Sequence, residues 1–190
     1  MERTYIQDKT FEKEDIIRDG LSIADYENCV FNHCDFSNSD LSKRIFLDCE
    51  FISCNLSAAK VHKAAFKNVK FKDCKLLGLH FEDCDQFLFE VSFDNCFLNL
   101  SSFYKLKLKG IKFNQTNLTE VDFTEADLSN ASFNNCDLTG AKFDNTVLEK
   151  ADLRTAYNYS IDPATNKIRK AKFSMHGIAG LLDKYDIEIE

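Results

Sequence analysis

The sequence predicts an all-β domain: a parallel β-helix of short coils, four-sided in section. Three observations predict it. An apolar residue recurs at every fifth position, the position two before it is small, and cysteines and phenylalanines recur at intervals of twenty. A period of five matches neither the 3.6 of a helix nor the 2 of a strand, so it calls for a third kind of regular chain.

Stepping by five from Tyr26, the centres run through Phe31, Phe36 and Leu41 to Phe81. The phase then slips by two residues near 82–88, at "DCDQFLF" (83–89), and is expected to resume at Leu88 and run to Leu153. Twenty-six successive centres are apolar, and they take 13 of the 18 phenylalanines, so these rings are assigned to the core. The slot two residues earlier is Ala, Cys, Ser, Thr or Val in 21 of the 26 cases, which marks it as inward-facing and short of room. Arg44 breaks this rule. An unpaired charge in such a slot is costly, so a bulge or an outward-turned side chain is expected there. Leu79, Gln86, Leu106 and Ile111 are the other exceptions.

Seven of the eight cysteines, Cys29, Cys34, Cys49, Cys54, Cys74, Cys96 and Cys136, occupy the small slot, and Cys84 lies at the slip. They read as small buried hydrophobes rather than metal ligands or disulfide partners. Cys34, Cys54 and Cys74 are twenty apart, which suggests a column, one coil above another. Two inward residues in five, with a bend between, give one straight side; four sides give a coil of twenty. Twenty-six fives make 6.5 coils, a stack of roughly 31 Å at about 4.8 Å per coil.

The ends depart from the rhythm. Residues 1–23 keep Phe11, Ile16 and Leu21 at the five-step but place Lys9, Glu14 and Asp19 in the small slots, so they read as an N-terminal cap or a frayed first coil. Beyond Leu153 the rhythm fails. "NYSIDPATNK" reads as a loop, with Pro163 and Asn166 as turn residues, and "AKF" at 171–173 as one last repeat. Ser174 is placed to N-cap a short helix carrying Ile178, Leu181, Leu182 and Tyr185 at helical spacing, and "DIEIE" at 186–190 alternates like a strand. The resulting division is a cap over 1–23, coils over 24–156, and a C-terminal loop, capping helix and strand over 157–190.

Little in the chain suggests chemistry. His33, His62 and His80 point outward by phase, with no nucleophile and carboxylate at matching positions. There is no Gly-rich phosphate loop and no metal-ligand spacing, so neither enzyme activity nor a cofactor or metal is expected. The net charge of −7 disfavours direct binding to nucleic acid. The charge is uneven: residues 61–120 hold 7 acids and 9 bases, including Lys63, Lys67, Lys70, Lys72 and Lys75, while both ends are acidic. The charged start "MERTYIQDKTFEKED" and the lack of a long apolar run point to the cytoplasm, with no membrane span. Phe87, Phe89, Phe97 and Tyr104 fall outside the inward phase near the slip, which makes them candidates for a partner-binding patch; alternatively they cover the slip itself.

The segments "ADLSN", "CDLTG", "TNLTE" and "ADLRT" resemble the pentapeptide-repeat family, whose pattern is A-[D/N]-L-x-x, over residues 24–156. The resemblance implies a right-handed quadrilateral β-helix. It further resembles the quinolone-resistance members, which form end-to-end dimers through a C-terminal "LL" helix and short strand and act as acidic DNA mimics on DNA gyrase or topoisomerase IV. It thereby implies a cytoplasmic homodimer with Ile178, Leu181, Leu182, Tyr185 and Ile187 at the interface and a topoisomerase as partner. The lysine-bearing middle departs from the mimicry, and a general protein-interaction scaffold is the alternative.

Overall fold

In a computed structural model, which describes residues 4–188, the chain winds as a parallel β-helix of four-sided coils. One wall carries β1 (Thr4–Gln7), β3 (Ala24–Glu27), β5 (Ile45–Leu47) and β7 (Ala65–Lys67), hydrogen-bonded in that order. The adjoining wall carries nine strands. From the bottom they are β2 (Thr10–Glu12), β4 (Val30–Asn32), β6 (Glu50–Ile52), β8 (Val69–Lys72) and β9 (Val91–Asp94). Above them come β10 (Lys112–Asn114), β11 (Ser132–Asn134), β12 (Asp152–Leu153) and β13 (Lys172–Phe173). The other two walls are held by isolated parallel bridges such as Asn55↔Lys75 and Ser102↔Asp122.

Partners are twenty residues apart throughout, as in Phe31↔Phe51 and Phe113↔Phe133, except across the slip, where Phe71↔Phe93 makes the step twenty-two. Nine levels on one wall give eight steps, about 38 Å at 4.8 Å each, rather than the 6.5 coils expected. The difference lies at the ends. Residues 4–12 already pair in register with the coil above, and the twenty-residue register persists to Lys167 and Phe173 through a last coil whose inward residues are Tyr159, Ile161 and Asn166.

The five-residue rhythm has a backbone cause. Most sides end on a residue in the left-handed region, for example Asn68 (φ 53°), Glu120 (φ 56°), Glu125 (φ 58°) and Lys150 (φ 60°). That single positive φ turns the chain through a corner. The first outward residue of each side is often Asp or Asn because its side chain accepts the N–H two residues on: Asp122 Oδ1 from Thr124 at 2.8 Å, Asn117 Oδ1 from Thr119 at 2.9 Å.

Phenyl rings fill the shaft in columns. Phe71, Phe93, Phe113 and Phe133 stack at centroid separations of 5.4, 5.4 and 5.2 Å, and a second column, Phe81, Phe103, Phe123 and Phe143, meets the first edge-on, as at Phe113–Phe123 (5.9 Å, 73°). Both geometries suit the ring quadrupole. The thiols form a parallel column. Cys54 Sγ donates to the Phe31 carbonyl (3.2 Å), Cys74 to Phe51 (3.3 Å) and Cys96 to Phe71 (3.4 Å), each to the coil below.

All eight cysteines are buried and free. They are therefore expected to resist iodoacetamide in the native protein and all to react once it is unfolded, scored by intact mass; rapid native labelling of Cys54 or Cys74 would contradict the shaft. Burial pushes the Cys49 and Cys136 thiols up to about 12, from an ordinary value of 9.0. Above pH 9 the unfolded thiols lose protons that the native ones keep, so stability falls as pH rises. The loss is fully developed at about pH 12, up to about 4 kcal/mol per thiol, and thermal melting across this window measures it.

Four expectations are corrected. Arg44 neither bulges nor turns outward; it is buried, and its guanidinium donates to the carbonyls of Ser22 (3.1 Å), Asp40 (2.7 Å), Ser42 (3.4 Å) and Leu21. The cause is α1 (Lys13–Asp19), a helix the five-step had obscured, with Glu12 N–H donating to Asp15 Oδ2 (3.0 Å) at its start and Gly20 (φ 65°) at its end. It replaces one side of the first coil, so the N–H groups that would serve the Asp40 and Ser42 carbonyls from below are not in place. Arg44 supplies donors instead.

Leu88, expected inward, is 65% exposed; Phe89 turns toward the core, edge-on to Phe81 at 6.2 Å. The C-terminal capping helix is two 3-10 turns, Ile178–Leu181 and Asp183–Tyr185, although Ser174 Oγ does accept the Gly177 N–H (3.1 Å). The segment lies hard on Tyr159: a Cβ at Gly180 would come within 2.0 Å of the Tyr159 carbonyl oxygen, and one at Gly177 within 2.2 Å of its hydroxyl. The two glycines that allow this approach disfavour an α-helix. Residues 186–188 form no strand, and Ile189 and Glu190 lie outside the described residues.

Candidate binding surfaces

The outward carboxylates are occupied by structure. Ser37 N–H and hydroxyl hold the Asp35 carboxyl below its usual range, the Ser42 hydroxyl and N–H do the same for Asp40, and Arg154 for Asp152. Arg154 grips Asp152 at 2.7 Å, and Lys184 reaches Asp162 at 2.6 Å. Among the described residues no group of three or more His, Cys, Asp or Glu is arranged to hold a metal ion. No helix among them is long and apolar enough to cross a membrane.

The walls are regular except at the slip. Residues 86–89 fold out of their wall: Phe87 N–H turns to Asp85 Oδ1 (2.9 Å), Phe89 N–H to the Gln86 carbonyl (3.4 Å), and Gln86 Nε2 to the Cys84 carbonyl (2.9 Å). Asp85 and Glu90, on either side, stay tied to the coil below through the Ala64 (2.8 Å) and Phe66 (3.0 Å) carbonyls. The coil above thus loses what normally lies under it. One coil higher, Asp127 N–H donates to the Leu106 carbonyl and Leu108 N–H to that of Asp127, both at 2.8 Å. Among the described residues the N–H of Lys107 and the carbonyls of Lys107 and Lys109 have no backbone partner. A groove of about 510 Å³ opens at this corner, with Leu88, Phe89 and Val69 among its apolar lining and Lys70, Lys107 and Lys112 on its rim.

The aromatic residues singled out from the sequence are not one patch. Phe87, 68% exposed, has the Lys67 ammonium 5.2 Å from its ring centroid and is not part of the groove lining, whereas the half-buried Phe89 is. Phe97, 48% exposed, stands on another wall, bridged between Lys75 and Asn117 with Leu77 and Leu100 nearby in the same two coils. Tyr104 follows the bridge residue Ser102 on a further wall, where it is half-buried and its hydroxyl donates to Glu125 Oε1 (3.3 Å). The groove itself left no mark in the sequence, beyond the slip, that could have identified it.

At the C-terminal end Ile178, Tyr185 and Ile187 are exposed, Leu182 is half-buried, and Leu181 packs on the core. The Tyr159 hydroxyl beneath this segment is buried with no hydrogen-bond partner among the described residues, and burial raises its pKa.

Straight walls, a filled shaft and left-handed corners define a solenoid of five-residue units, in which sides present surface and the interior presents none. The family profile described as "Pentapeptide repeat region" matches residues 24–87 and 86–157, and the chain belongs to the pentapeptide-repeat family. No curated protein matches the sequence. Among solved structures, trypsin-treated QnrB1, a plasmid-mediated fluoroquinolone resistance protein, is 20% identical over 99% of this chain and 98% of its own, with a TM-score of 0.47. HetL, involved in heterocyst differentiation regulation in the cyanobacterium Nostoc sp. strain PCC 7120, is 15% identical over 90% and 84%, with a TM-score of 0.43. Rfr23 from the cyanobacterium Cyanothece 51142 is 14% identical over 92% and 84%, with a TM-score of 0.25.

Proposed function

We propose that this protein is a non-catalytic binding rod of the cytoplasm, and that its partner is a type II topoisomerase, DNA gyrase or topoisomerase IV, engaged in place of duplex DNA. The observation that carries the rod is the unbroken register over nine levels, which presents long walls and ties several of their carboxylates into corner bonds rather than leaving them poised for proton transfer. The partner class rests on the resemblance in the repeats. Rod length supports it: two stacks of about 38 Å, joined end to end, span about 77 Å, the length of roughly 23 base pairs at 3.4 Å each. The joint in this reading is the C-terminal end, with Ile178, Leu181, Leu182, Tyr185 and Ile187 between protomers.

A second reading, a scaffold for some other protein, is favoured by the lysines of the middle coils, which are of the wrong sign for phosphate mimicry. Supercoiling and quinolone-stabilised cleavage assays with purified gyrase, alongside a mass measurement in solution, discriminate the two. The topoisomerase reading expects inhibition of supercoiling, or relief of drug-stabilised cleavage, at micromolar protein. No effect in either assay rejects that partner and leaves the scaffold.

A further inference from the structure

The backbone at the slip is incomplete in a particular way. Over most of the stack each side of a coil is hydrogen-bonded above and below. At Lys107–Lys109 the lower partner has moved out, leaving one donor and two acceptors in the pattern of an unpaired β-edge. An exposed edge of this kind is a template for an added strand. The groove beside it is lined by the apolar Leu88 and Phe89 and by Lys70, Lys107 and Lys112. Lys70, Lys107 and Lys112 are exposed and make no ion pair among the described residues, whereas Lys109 is committed to Asp127 at 3.4 Å. Glu90 is the one carboxylate in the lining.

We propose that this groove binds a short extended acidic segment of a partner protein, which adds as a strand to the edge at Lys107–Lys109. The backbone would supply three bonds: the Lys107 N–H to a partner carbonyl, and two partner N–H groups to the Lys107 and Lys109 carbonyls. Alternate side chains of a strand point to opposite faces. One set lies on Leu88 and Phe89 and is apolar; the other meets Lys70, Lys107 and Lys112 and is acidic. Charge complementarity selects the acidic segment, in a chain whose net charge of −7 otherwise repels it.

The test uses the full chain and an end-blocked peptide, Glu-Val-Glu-Val-Glu-Val-Glu, titrated by calorimetry, with amide hydrogen exchange read at Lys107. Saturable binding is expected, with slowed exchange at Lys107. Affinity is expected to drop at least about tenfold in the Lys107→Glu/Lys112→Glu double variant, whose exposed side chains leave melting unchanged, and to weaken as salt rises. N-methylation of alternate peptide amides is expected to abolish binding by removing the donors. Three results overturn the proposal: equal binding of a peptide with lysine in place of glutamate, a Lys107 amide already protected in the free protein, or wild-type self-association lost in the Lys107→Glu/Lys112→Glu double variant, which assigns the groove to a second copy. The proposal is independent of the topoisomerase reading. The double variant, run in the supercoiling assay, separates failure of one from failure of the other.

Discussion

Replacing Phe113 by alanine is expected to cost about 3–5 kcal/mol of stability. The ring is fully buried and touches four others: Phe93 and Phe133 face to face in its own column, Phe103 and Phe123 edge-on in the next. Removing it takes out a link in both columns, at a level where the surrounding backbone is pinned above and below by β9 and β11 and cannot collapse into the space. The urea midpoint should fall while the denaturant slope is unchanged, because the surface exposed on unfolding is nearly the same. A variant within about 1 kcal/mol of wild type would mean that the rings do not carry the stack.

The second large effect is expected from Ala131→Arg. Ala131 is in the small slot, wholly buried between Ile111 and Ala151 of the adjoining coils. An arginine there has neither room nor unbonded carbonyls, since the Ala131 carbonyl already takes the Asp152 N–H (2.8 Å) and that of Ile111 takes Ser132 (3.0 Å). Burying its charge without partners costs more than a domain of this size has to spare, so soluble folded protein is not expected. Expression followed by circular dichroism and a thermal melt checks this, and a wild-type melt would refute the inward slot. The contrast with Arg44 shows that the residue type is not decisive. The same slot holds an arginine one coil above α1, where the chain below leaves carbonyls for it to satisfy.

The shaft was legible in the sequence because a fixed period needs only residue sizes to be seen: Phe at the centre, Cys or Ala two before it. What could not be read depends on backbone partners. The slip could be located, but whether Leu88 or Phe89 turned inward could not, because either restores an apolar centre. Arg44 looked like a misfit because its acceptors exist only once α1 has displaced a coil side. The C-terminal apolar stripe suited a helix, yet Gly177 and Gly180 serve a close approach to Tyr159 that no helical pattern foretells. The open edge at Lys107–Lys109 is a matter of hydrogen bonds withheld by residues some twenty positions away, and no side chain advertises it.

The left-handed corners make the surface separately editable. Because each turn is made by one backbone torsion, at residues as different as Asn68, Lys105 and Glu125, the corner side chains are free of any duty to the interior. Mutation can therefore recolour a wall, acid to base or polar to aromatic, one position at a time and at little thermodynamic risk. The extra pair at 86–89 extends this freedom to length, since the register closes again within a coil. A lineage built on such a frame can change what it recognises far faster than it changes shape.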